Sequence, residues 1–243
     1  MDSSFRMSLV NIIDYISKQS KILMINNNAY LIKNYASELG ILKWFMVVLP
    51  NFAIRKYPLR PEPIERLKRE VSFMRKADSC FNRPEILLVD YARLTLVREF
   101  IKGELYSYQA PSKIHYEIGY GLGKCHESGW ALGDSKITNF IYRDEKIYAI
   151  DAEQAINEYN SDYAAWDLLV LISTIYIDGY GRALWTETLE SKAIDSILEG
   201  YLTGNEKGPE VISTLKSGEF KLLIHLLVPF PFNLILTKKI ESY

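Results

Sequence analysis

The chain has 243 residues, 48% of them hydrophobic and 24% charged, and 29 Lys and Arg balance 30 Asp and Glu to a net charge of −1. This is the composition of an ordinary globular protein, long enough for one large domain or two small lobes. It excludes a basic nucleic-acid coat, which needs a strongly positive domain, so nucleic acid is not expected as the main partner. Two cysteines, Cys80 and Cys125, are too few for a disulfide framework, and a reducing, cytoplasmic location is expected.

The first 21 residues do not read as a signal peptide, because Asn11, Asp14 and Lys18 interrupt their apolar stretch. From 21 to about 60 the sequence is rich in β-formers, in KILMINNN, AYLIKNYA, ILKWFMVVLP and NFAIRKY, with turns expected at Asn26–Asn28 and near Gly40. Pro58, Pro61 and Pro63 close this region. Ile64, Leu67, Val71 and Met74 then recur at helical spacing, predicting a helix over 64–77 with Pro63 at its first turn. EILLVDYA and LTLVREFI predict two further strands.

After Gly103 the pattern turns helical. Helices are predicted over 112–128, 163–176, 184–202 and 211–227, with short strands at FIYR and KIYAID between the first two. The apolar run 222–236 holds His225, Pro229, Pro231 and Asn233 and is too short to span a bilayer, so a buried helix broken at Pro-Phe-Pro is expected. A β-rich part with one main helix followed by a helical part reads as α+β with two lobes, 1–102 and 103–243.

The stretch from Gly129 to Ala155 carries the chemistry. Asp134 and Asn139 stand five apart in a loop, Lys136 lies between them, and Asp151 ends the apolar strand IYAI. Mg²⁺ takes few hard oxygen ligands from a protein and shares the rest with phosphate and water, which suits Asn139 and Asp151. A second carboxylate, Asp134, just outside the metal shell can orient a hydroxyl and take its proton, and Lys136 can neutralise charge on a transferring phosphoryl group. The three histidines show no metal-ligand spacing, so no zinc site is expected.

These residues carry a family resemblance. GDSKITN resembles the protein-kinase catalytic loop and IYAIDAE the strand entering the kinase metal-binding Asp-Phe-Gly. The short segment after Asp151 is similar to that of the small atypical kinases: the lipopolysaccharide Kdo and heptose kinase group, the RIO kinases and the Bud-type kinase of the KEOPS complex. The resemblance implies a two-lobed kinase-like fold with ATP and Mg²⁺ between the lobes. It makes Asp134 the catalytic base, Lys136 the phosphate-neutralising lysine, and Asn139 and Asp151 the metal ligands. NFAIRKY resembles the strand with the ATP-pairing lysine, giving Lys56, with Arg55 one register away. The helix gives Glu70 as the partner of that lysine, with Glu65 second. LVREFIKGE resembles the hinge, so backbone groups of Glu99 and Ile101 would meet adenine. Asp167 resembles the buried aspartate that holds the catalytic loop.

Three departures stand out. No Gly-x-Gly-x-x-Gly is present, and the candidate phosphate cover is the turn Asn26–Ala29, with Asn28 at its centre. Gly133, not the usual pattern with His, precedes Asp134. Asp-Phe-Gly is replaced by Asp151-Ala152-Glu153. The expected activity is transfer of the γ-phosphate of ATP to a hydroxyl, most simply of a protein serine or threonine. A Kdo-type small-molecule kinase, a nucleotide-binding pseudokinase with a partner protein, and an ATPase subunit of an RNA-modifying assembly are the alternatives.

Overall fold

The computed structural model describes residues 20–25, 28–36, 56–183 and 192–243. Strands expected over 41–54, the turn residues Asn26 and Asn27, Arg55, the first 19 residues and the start of the helix expected from 184 lie outside them.

The N-terminal part is a four-stranded antiparallel sheet in the order β1-β2-β4-β3: β1 (Ser20–Ile25), β2 (Asn28–Asn34), β3 (Ile86–Asp90) and β4 (Thr95–Glu99). Tyr30 pairs with Glu99 and Lys33 with Leu96, while Ser20 faces Lys33 across the β1–β2 hairpin. Helix α1 (Pro63–Lys76) crosses this sheet. Its apolar stripe packs Leu67, Val71 and Met74 on Tyr35 and Leu96, a small separate core. The 3–4 spacing read from sequence is the spacing of that buried stripe.

The rest is mostly helical. Strand β5 (Glu104–Leu105) pairs with β7 (Phe140–Arg143), which pairs with β8 (Lys146–Ala149), and β6 (Trp130–Ala131) pairs with β9 (Ile156–Asn157). Helices α2 (Ser112–Glu127), α3 (Ser161–Ala183), α4 (Lys192–Gly204), α5 (Gly208–Leu215), α6 (Gly218–Leu227) and α7 (Phe232–Ser242) complete the chain. They enclose the main core around Ile118, Leu122, Trp166, Leu171 and Tyr201. Glycines let α2 and α4 touch backbone to backbone: a Cβ on Gly119 would stand 2.1 Å from the Ile197 carbonyl oxygen, and one on Gly200 equally close to that of Tyr116.

The fold is therefore α+β, with helices and strands near their predicted bounds. One difference lies at 211–227, expected as a single helix. It is two, because Ser217 takes an extended conformation and caps α6 by accepting a hydrogen bond from Phe220 N. The break expected at Pro-Phe-Pro separates α6 from α7. Among the described residues no helix is long and apolar enough to cross a membrane.

Candidate active site

The loop from Gly129 to Asn139 is held from below by one buried carboxylate. Asp167, on α3 and fully buried, accepts hydrogen bonds from Leu132 N (2.6 Å) and Gly133 N (2.7 Å), and its Oδ2 lies 3.1 Å from His126 Nε2. Trp166 Nε1 donates to the Gly133 carbonyl and Ser135 Oγ to that of Asp167. Buried backbone N–H groups must find acceptors, and here the loop finds them in one aspartate. His126 also meets the Tyr201 hydroxyl at 2.7 Å, and it reaches the loop only through Asp167.

Gly133 fixes the turn into Asp134. Its φ is +74°, and a Cβ there would stand 2.4 Å from the Tyr57 ring. That ring is pinned by its hydroxyl, which donates to the carbonyls of Ala131 and Gln154. Gly133→Ala is therefore expected to cost about 2–5 kcal/mol, from left-handed backbone and overpacking together. Chemical denaturation measures this directly; a loss under ~1 kcal/mol would show that the loop and Tyr57 relax freely.

Beyond the turn the four motif residues come together. Lys136 Nζ lies 2.8 Å from Asp134 Oδ2, and Asn139 Nδ2 donates to the Asp134 carbonyl (2.7 Å) and more distantly to its carboxylate (3.3 Å). Burial opposes the Lys136 charge, but Asp134 and Asp151 outweigh it and raise the ammonium pKa. Asn139 starts the β7–β8 hairpin, and its backbone carbonyl takes Ile150 N, which brings Asp151 alongside.

The lysine that meets Glu70 is Lys33, not Lys56. Lys33 Nζ lies 2.7 Å from Glu70, 2.9 Å from Asp151 and 3.1 Å from Glu153. Burial works against its charge, and the three carboxylates more than reverse that, so its pKa stands well above the ordinary value. Glu70 is fully buried; desolvation raises its pKa against the pull of Lys33. It also accepts from the Tyr35 hydroxyl. Lys56 reaches instead across to Asp162 (2.9 Å) and Glu219 (2.5 Å), in the first turns of α3 and α6. AYLIK and FAIRK share one local pattern, small residue to Ile to cation, and the strand that lies over α1 is the first. Glu65, the second choice for the helix carboxylate, pairs with Lys68 on the exposed side of α1.

A cavity of about 250 Å³ joins the two parts. Lys33 and Arg98 line it from the sheet, Ile101 from the connection, and Lys136, Asn139 and Asp151 from the helical part, with Ser20 at the Lys33 end. Asp134 stands just outside, bonded to Lys136 and Asn139. Asn28 does not line it: the Tyr30–Glu99 register puts the hairpin turn at the hinge end, with Asn28 exposed and paired to Ile25, and Lys33 at the other. Glu99, the last residue of β4, donates its N–H to Glu85 O, and its carbonyl accepts from Arg98 Nη1 (3.3 Å).

Two partners of the site were not visible in the sequence. Glu153 accepts from Arg66 Nη2 at 2.7 Å, with Arg66 fully buried on α1. Arg98, 5% exposed, donates to the Ile150 carbonyl at 2.6 Å. Both cations look like surface charges in a linear reading. Arg66 lies in a basic stretch that reads as a solvated face, and the helical position it shares with Glu70 is the only signal that sets it apart.

No protein-family model matches the chain. The "KEOPS complex subunit Bud32" of Pyrococcus abyssi is 28% identical over 167 residues, 65% of this chain and 73% of that protein. Among solved structures, WaaP in complex with acyl carrier protein aligns over 92% of this chain and 86% of its own, with 14% identity and a TM-score of 0.46. The Rio2 kinase of Chaetomium thermophilum, in an ADP/Mg²⁺-phosphoaspartate complex, aligns over 86% and 73%, with 15% identity and a TM-score of 0.46. In sequence the chain is thus similar to Bud32, an atypical protein-kinase-like protein.

Proposed function

We propose that the chain is an ATP- and Mg²⁺-dependent phosphotransferase acting on a hydroxyl. The observation that carries this reading is the convergence of Lys33, Lys136, Asn139 and Asp151 on one cavity, with Asp134 beside it. Asn139 and Asp151 offer an amide and a carboxylate oxygen, hard donors of the kind Mg²⁺ takes. The Asn139 amide nitrogen is committed to Asp134, which leaves its carbonyl oxygen for a metal. When bound, Mg²⁺ supplies charge neutralisation on the phosphates of the nucleotide.

The other roles belong to the chain. Lys33, fixed by Glu70, meets the inner phosphates. Lys136 offsets charge on the transferring group, and its bond to Asp134 holds that carboxylate in place. Asp134 orients the acceptor hydroxyl and takes its proton. Asp167 keeps the loop rigid, so little reorganisation is left for the reaction itself. The two lobes divide at 102/103, and a cytoplasmic location completes the proposal.

The acceptor we favour is a protein serine or threonine, on the match of Lys136 to the loop of such kinases. A second reading, an ATPase subunit of an assembly, is favoured by the KEOPS subunit among the relatives. Purified protein with γ-labelled ATP and Mg²⁺ tests both. Label transfer to protein acceptors, lost by about 10²–10⁴-fold in Asp134→Asn, supports the first. Hydrolysis without transfer, raised by a partner subunit, supports the second. If ATP neither turns over nor raises the melting temperature, the phosphotransferase reading fails.

A further inference from the structure

Arg66 and Glu153 do not line the cavity, yet two residues at its phosphate end are braced by them. Arg66 stands on α1 one turn before Glu70, and Glu153 follows Asp151 by two residues. Arg66 Nη2 and Lys33 Nζ share one oxygen of Glu153, Oε2, at 2.7 and 3.1 Å. Lys33 Nζ reaches on to Asp151 Oδ1 at 2.9 Å, and the Glu153 N–H approaches the same Oδ1 at 3.4 Å. Two contacts on the Asp151 carboxylate therefore run through Glu153, one by way of its side chain and Lys33, the other by its backbone. Helix α1 thus meets the site twice: Glu70 holds Lys33, and Arg66 holds Glu153.

Stability does not account for the pair. Both side chains are buried, and taking two charges out of water costs about as much as their attraction returns. Among the described residues Arg66 Nε and Nη1 find no hydrogen-bond partner, so most of its donors are desolvated without return. Its guanidinium lies 5.7 Å from the centroid of the Tyr35 ring, whose hydroxyl donates to Glu70. An apolar pair of equal volume would fill the same space at less cost. It would not hold a carboxylate in one place. Groups that stand behind a metal ligand and fix its direction are worth 10–100-fold in metal affinity, as a rough range.

We infer that Arg66 is a positioning residue of the metal site: through Glu153 it holds the Asp151 carboxylate turned to the cavity. This inference rests on the phosphotransferase reading and names what supports the metal end of that site. Mn²⁺, a paramagnetic stand-in for Mg²⁺, is titrated into the chain at saturating non-hydrolysable ATP analogue and followed by electron paramagnetic resonance. The double variant Arg66→Met with Glu153→Leu leaves neither charge buried and is expected to fold. Its Mn²⁺ dissociation constant is expected to rise by about 10–100-fold. Arg66→Lys, which keeps a cation for Glu153, is expected to fall between it and the wild type. The affinity for the analogue without metal is expected to stay within a few-fold, because Lys33 keeps Glu70 and Asp151. A merely structural pair would lower Tm and leave metal affinity alone. Mn²⁺ binding within a few-fold of wild type in both variants therefore overturns the inference and leaves the phosphotransferase reading intact. An equal loss of metal-free analogue binding in the double variant also overturns it, since the damage is then to the whole cavity. Should the double variant fail to fold, Arg66→Lys decides alone. If the wild type binds neither analogue nor Mn²⁺, both readings fall together.

Discussion

Lys33→Met is expected to lower phosphoryl transfer by about 10²–10³-fold, the range seen when one electrostatic contact to a developing charge is removed. Lys56→Met is expected to leave transfer within a few-fold of wild type. The contrast follows from where the two ammonium groups sit. Lys33 is buried at the cavity wall among Glu70, Asp151 and Glu153. Lys56 ties the segment before α1 to Asp162 and Glu219, two partly exposed carboxylates, and its loss is a matter of stability alone. Steady-state kinetics on both variants check this, with the ATP KM and kcat reported separately. Equal losses in the two would return the nucleotide contact to the later lysine.

The second large effect concerns Glu153→Ala. Arg66 is fully buried, and among the described residues its guanidinium donates one hydrogen bond, to Glu153, while Nε and Nη1 find no hydrogen-bond partner. Removing one partner of a buried pair leaves an uncompensated charge and destabilises by about 3–5 kcal/mol. For a chain of this length that lowers Tm by about 6–20 °C. Thermal unfolding measures it. The double variant Arg66→Met with Glu153→Leu is expected to recover much of the loss, because neither charge then remains. A double variant no more stable than Glu153→Ala alone would show that the contact of Glu153 with Lys33 matters more.

Much of this was legible in the linear sequence, and what was not shares one cause. Asp134, Lys136, Asn139 and Asp151 are close in sequence and carried by one loop and hairpin, so local spacing places them together. Helix α1 follows from 3.6-residue periodicity, and Glu70 from the resemblance of that helix to its kinase counterpart. Asp167 follows from a motif. The lysine does not, because two β-rich segments of the sequence offer equivalent cations and only the fold brings Lys33 to Glu70. The same holds for Arg66 and Arg98: the burial of a cation is decided by a partner 87 or 52 residues away. Asn28 failed for a related reason. A hairpin turn reads clearly from Asn-Asn-Asn, but whether Asn28 reaches the cavity depends on pairing with β4.

The position of Lys33 among three carboxylates has a consequence for assembly of the site. An ammonium at 2.7, 2.9 and 3.1 Å from Glu70, Asp151 and Glu153 serves as a resident counterion. In proteins whose metal holds ligands that would otherwise repel, the free energy of binding is the free energy of folding, and chelators unfold them. Here the negative groups share one ammonium of the same polypeptide, with Arg66 at Glu153 and Arg98 near Glu70. The site's own cations thus offset part of the charge that a divalent ion would otherwise meet, and nucleotide and cation add their binding energy to a chain whose pocket is already braced.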